Sequence, residues 1–155
     1  MARVTVRTIH ASILTRINAL VPATESAERW THVVEPVSLA AVAQRQQSVY
    51  RAFQVLPGAG GSAREVGATG FSDIERRTPF TVILAWREVA DIEESLLVVQ
   101  EDLEGVRNTL MNDAGGNQRL VPIGGDWPSP EVGEGAIVVQ WPFEAQHYVA
   151  SWGVP

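Results

Sequence analysis

Between Asp91 and Met111, apolar residues recur with a spacing that leaves the backbone little choice. Ile92, Leu96, Val99, Leu103, Val106 and Leu110 are separated by 4, 3, 4, 3 and 4 positions. That alternation puts all of them on one side of an α-helix. Glu93, Glu94, Gln100, Glu101, Asp102, Glu104 and Arg107 fall between them and suit a wet outer face. Asp91 is placed to cap the first turn, and Glu94 completes a capping-box pattern. Gly115 and Gly116 are placed to end the helix. A helix with one greasy stripe needs an apolar surface to lie on, and the neighbouring segments offer a sheet.

The strongest of these segments runs from Phe71 to Glu88. Its unbroken apolarity at Val82–Trp86 predicts a central strand covered on both faces. Val49–Leu56 reads as another strand, ended by Pro57. Arg119–Ile123 reads as a short strand, Gly124–Gly133 as a loop, and Gly135–Val149 as the last long strand. Pro142 predicts a bulge or an edge within that last strand. Trp30–Val37 suits a short edge strand, and Ser38–Gln47 a short helix capped by Ser38. Near the start, Val6, Ile9, Ile13, Ile17 and Leu20 keep helical spacing. Arg3, Arg7 and Arg16 lie there without an acid, as in a transit peptide, but the periodicity favours an amphipathic helix docked on the sheet.

The expected fold is therefore α+β. One domain, residues 1–155, holds a mixed or antiparallel sheet of about four strands packed against two main helices. That domain includes a flexible glycine-rich loop at 57–70 and a short C-terminal tail at 151–155. A chain of 155 residues is long enough for one buried core. No apolar run reaches the length that spans a bilayer.

Composition excludes several chemistries. All 12 cations are arginine, so lysine-dependent Schiff-base catalysis and the P-loop are ruled out. Cysteine is absent, so there is neither disulfide nor thiolate. A net charge of -6 disfavours a nucleic-acid-binding face. No G-x-S-x-G elbow is present. His10, His32 and His147 show no metal-ligand spacing, and are read as surface or partly buried side chains. The carboxylate pairs Glu93–Glu94 and Glu101–Asp102 are read as solvated helix residues rather than an acid/base couple.

Gly58, Gly60 and Ala63 match G-x-G-x-x-[GA] after a strand. A dinucleotide site needs a helix to begin inside that motif, and Gly67 and Gly70 make a poor one. The stretch is read as a loop or hairpin tip that orders on contact. Of the five tryptophans, Trp86 belongs in the core. Trp30, Trp127, Trp141 and Trp152 fall in edge, loop or terminal contexts, where tryptophan either plugs the core or anchors an interface. Arg76 and Arg77 are read as preceding the central strand, where they suit ion pairs across a subunit boundary or simple exposure.

The order of elements is an amphipathic helix, a strand, a glycine-rich excursion, a long strand, a capped helix, a short strand, a loop and a long final strand. It resembles the tail terminator (tail completion, gpU-like) proteins of long-tailed bacteriophages, and the similar neck protein of gene-transfer-agent particles. The likeness rests on Val6–Leu20, Val49–Leu56, Thr78–Arg87 running into Asp91–Met111, and Gly135–Val149, which together cover most of the chain. The resemblance implies a structural virion protein, not an enzyme, with no cofactor or metal. It implies a homo-hexameric ring at the neck, assembled in the host cytoplasm. Such a ring stops tail-tube growth and joins the tube to the head-tail connector or stopper, with DNA passing through unbound.

On that reading Gly58, Gly60, Gly61, Arg76, Arg77, Trp127 and Trp152 are the interface residues, and Asp126, Glu131 and Glu134 are the lumen-facing acids. Excising 58–70 is expected to spare the fold and abolish assembly. The alternatives are another neck component, a stopper or adaptor, or a small nucleotide-binding module using 58–63.

Overall fold

The computed structural model describes residues 5–22, 28–33, 50–58, 60–66, 73–87, 91–111, 118–123, 127–133 and 135–149. Within them, two helices and seven strands form one α+β unit. In chain order these are α1 (Val6–Ala19), β1 (Thr31–His32), β2 (Arg51–Pro57), β3 (Ser62–Val66), β4 (Asp73–Arg87), α2 (Ile92–Met111), β5 (Gln118–Pro122), β6 (Glu131–Gly133) and β7 (Ala136–Val149).

The sheet is built around β4 and β7. Their antiparallel ladder runs without interruption from Ile74 opposite Val149 to Arg87 opposite Ala136. On the outer side of β4 lie β2 and then β3; on the outer side of β7 lie β6 and β5. Only β1 is parallel, to β2, which makes the sheet mixed. As the sequence predicts, Val82–Trp86 is buried throughout and β4 is central.

Both helices lie on one face of the sheet. Thr5 caps α1 by accepting the Thr8 N–H at 3.1 Å. Ile9, Ile13 and Ile17 then bury one stripe. In α2, Val99, Leu103, Val106 and Leu110 bury theirs. These stripes meet Phe53, Val55, Phe80, Val82, Leu84, Ile137, Val139, Trp141 and Phe143 in one core. Leu20 sits beside Gly105, and Arg16 donates to the carbonyls of Thr109 and Leu110 at 3.4 and 3.3 Å, so the helices run antiparallel. A cation at the last carbonyls of a helix is favourable there. Ala52, Ile83, Ala85, Ala136 and Val138 form a smaller cluster on the opposite face, with Val33 against it.

The structure corrects or narrows the reading of the elements at four points. First, the stretch read as a loop at 57–70 contains β3, which supplies five rungs to β4. Excision of 58–70 would therefore remove a strand from the sheet. Second, β2 and β3 lie end to end along β4. Between Pro57–Phe80 and Ser62–Arg77, the four positions 58–61 stand against the two positions 78–79, so two extra residues bulge out. Third, β6 lies within the expected loop at 124–133 and pairs with β7. Fourth, of the two readings of Pro142, a bulge or an edge, the structure takes the edge: β5 pairs with β7 only from Phe143 onward and β6 only up to Val138. Pro142 sits where β5 ends, its carbonyl accepting the Ile123 N–H at 2.9 Å. Proline has no N–H to return, so the rung carries one bond and costs the sheet little. The expected helix at Ser38–Gln47 and the residues Gly115 and Gly116 lie outside the described residues. Among the described residues, no helix is long and apolar enough to cross a membrane.

Candidate functional site

The residues singled out from the sequence gather at two places, on opposite edges of the sheet. Gly58, Gly60, Gly61 and Arg77 come together at the β2–β3 junction, with Arg76 next along β4. The glycines have a local reason to be there. The Gly58 N–H donates to the Pro79 carbonyl at 2.7 Å, and a Cβ on Gly58 would stand 2.8 Å from the Pro79 Cγ. Gly60 and Gly61 take φ of 89° and 97°, a left-handed region that side chains resist. A Cβ on Gly61 would lie 2.0 Å from the Arg77 carbonyl oxygen. The glycines thus wrap the chain around Pro79. The next element is β3 rather than a helix, so the motif does not open a helix whose N-terminus could face a pyrophosphate.

Arg76 and Arg77 lie inside β4, not before it, because the strand begins at Asp73. Arg77 reaches Glu75 at 3.5 Å and Glu144 at 3.9 Å within the same molecule, so its ion pairs are intramolecular. The arginine side chain is 43% exposed, which screens these contacts and keeps their worth small.

The second place is the β5–β6 edge. Trp127 packs at a tilt against Trp141, 5.5 Å between ring centroids, and the Arg107 guanidinium lies 5.6 Å from the Trp127 ring. Trp127 remains 48% exposed. Ile123 and Val132 are exposed on the same edge, beside Glu131 on β6. Asp126, Glu134 and Trp152 lie outside the described residues. Trp30 and Trp141, expected in edge contexts, are core residues. Both are buried, Trp30 against Trp86 and Trp141 against Phe143. His147 is fully buried, not partly exposed, with Nε2 2.9 Å from the Thr78 hydroxyl. Among the described residues no cluster of His, Asp and Glu could hold a metal ion.

One polar group departs from its sequence expectation. Asp102, assigned to the wet face of α2, is 3% exposed. It accepts from Arg51 Nε at 2.6 Å and from Trp86 Nε1 at 2.7 Å. Arg51 is itself fully buried, and its Nη1 donates to the Glu28 carbonyl at 3.2 Å. The Glu28 carboxylate accepts the Tyr50 N–H at 2.7 Å. The network therefore ties β2, β4, α2 and the 28–30 segment together. Desolvation raises the Tyr50 phenol above its ordinary value, and the adjacent Arg51 charge offsets part of the rise. A signal for the buried pair exists in the sequence. Asp102 stands three residues after Val99 and four before Val106, inside the apolar stripe. Arg51 occupies the same alternating register as Phe53 and Val55. A satisfied buried ion pair of this kind acts as a structural clasp, joining strand to helix.

No family model and no curated protein matches the chain.

Proposed function

We propose that this chain is a structural neck protein of a long-tailed phage or gene-transfer-agent-like particle. Its copies join edge to edge into a hexameric ring that caps the tail tube and meets the head-tail connector. The observation that carries this reading is the separation of its two unusual edges. The glycine-wrapped bulge lies beyond β4, and half-exposed Trp127 lies beyond β7. A closed ring requires two different patches, one on each side of the subunit. Tryptophan and arginine suit the buried centre of such contacts, and lysine, which this chain lacks, does not. The acidic balance of -6 favours a lumen that repels phosphate, so that DNA passes without sticking.

Native mass spectrometry of the purified chain over a range of concentrations tests the proposal. A hexamer, with a ring in negative-stain images, is the expected result. A chain that stays monomeric and takes up a dinucleotide would contradict it and favour the nucleotide-binding alternative.

A further inference from the structure

The two edges of the sheet are built alike, although their sequences share little. On one side Pro57 stands opposite Phe80, and the next residue, Gly58, donates its N–H to the Pro79 carbonyl. On the other side Pro122 stands opposite Phe143, and the next residue, Ile123, donates its N–H to the Pro142 carbonyl. Pro79 and Phe80 of β4 thus correspond to Pro142 and Phe143 of β7, about a pseudo-twofold axis through the Phe80–Phe143 rung. The same correspondence matches β3 with β6, each paired with the start of its long strand. Glu75 corresponds to Val138, so their partners Arg64 and Glu131 occupy equivalent places with opposite charge.

Both short strands turn backbone groups outward. The peptide groups of a strand point alternately to its two sides. The Gly58–Pro79 bond shows that Pro79, and in phase with it Arg77 and Glu75, faces the side of β2 and β3. Ser62 and Arg64 therefore bond to β4, while Ala63 and Glu65 turn their N–H and C=O away from it. By the same phase from the Ile123–Pro142 bond, Glu131 and Gly133 bond to β7 and Val132 turns outward. Among the described residues, β3 pairs only with β4 and β6 only with β7. An open row of N–H and C=O groups is a template for a further strand.

Direction, phase and charge select a second copy of this chain as the source of that strand. Within one molecule β3 and β6 run antiparallel to each other, because each step from β3 to β4, to β7, to β6 is antiparallel. A copy set alongside, with its helices on the same face, therefore offers its β6 antiparallel to β3. With Arg64 opposite the neighbour's Glu131, Ala63 falls opposite Val132, and their outward N–H and C=O groups meet as a bonded pair. Glu65 falls opposite Pro130, whose carbonyl accepts its N–H. Because the edges are equivalent, β3 against β3 or β6 against β6 fits the same ladder. Those contacts oppose Arg64 to Arg64 or Glu131 to Glu131, which is unfavourable, whereas β3 against β6 opposes arginine to glutamate. Within its own chain Arg64 stands opposite Glu75, so in the joined sheet it lies between two carboxylates. We propose that copies of this chain join by main-chain pairing of β3 to β6, with Arg64 opposite Glu131, so that one sheet runs on into the next. This inference rests on the edge-to-edge ring and names the strands and charges that close it.

The test measures assembly of the full chain by sedimentation velocity at low salt, for wild type, Arg64→Glu, Glu131→Arg and the double reversal. The wild type is expected to assemble, and each single reversal to weaken assembly about tenfold or more. The double reversal is expected to return it to within about threefold of the wild type. Single reversals that leave assembly unchanged, or a folded double reversal that fails to restore it, would overturn this pairing while leaving the ring standing. A wild-type chain that stays monomeric would remove the ring and the pairing together. Arg64→Glu also sets two carboxylates opposite each other within one chain, so circular dichroism checks its fold. If that variant unfolds, Ala63→Cys combined with Val132→Cys gives a second reading, since the two positions are directly opposed. The doubly substituted chain is expected to link copies on oxidation. Its failure to do so, or dimers formed by Ala63→Cys alone, would overturn the proposal.

Discussion

An aspartate between apolar positions of a helix either turns to water or is buried with a partner. Asp102 is buried with two, the Arg51 guanidinium and the Trp86 indole. Removing it leaves the buried Arg51 charge uncompensated. Asp102→Ala should therefore cost about 3–5 kcal/mol of unfolding free energy. Glu101→Ala, at an exposed position, should stay within about 0.5 kcal/mol. Urea denaturation of the two variants checks the contrast, and equal midpoints would deny the clasp. The glycines give a graded test at the same scale. Gly60→Ala meets open space, so only its left-handed φ is penalised, by about 1–2 kcal/mol. Gly61→Ala adds a Cβ that collides with the Arg77 carbonyl and should cost more. Thermal melts that reverse this order would mean the bulge does not form as described. The glycine spacing in the sequence marks a special place but not its purpose. Its cause is Pro79, far along the chain in a strand that no local pattern pairs with it.

At the scale of elements, legibility depends on the range of the interaction that shapes each one. Both helices are readable because their stripes and caps are local. Asp91 does what its position implies, accepting the Glu93 N–H at 2.8 Å. Asp91→Ala should cost α2 about 1 kcal/mol, seen as a lowered denaturation midpoint with an unchanged slope. No loss would mean the helix start is held by packing alone. The long strands β4 and β7 are readable from their apolar runs. The short strands β3 and β6 are not, because Ser62–Val66 and Glu131–Gly133 carry too little apolar alternation and owe their shape to a neighbour. Pro142 leaves two readings open for a related reason. A proline is tolerated in a long strand wherever the neighbouring strand stops, and that stop is invisible in sequence.

Over the whole molecule, the question is whether two unlike edges meet. The fold class comes from periodicity, whereas the edge geometry depends on which strands lie outermost, and only the register of β2, β3, β5 and β6 reveals that. The absence of cysteine allows a direct test. Ser62→Cys places a thiol on the β3 edge and Val132→Cys one on the β6 edge, both at exposed positions. In an edge-to-edge ring the double variant should oxidise into a ladder of covalent species ending at the hexamer, while neither single variant crosslinks. A dimer formed by either single variant, or a double variant that remains a monomer, would contradict the ring.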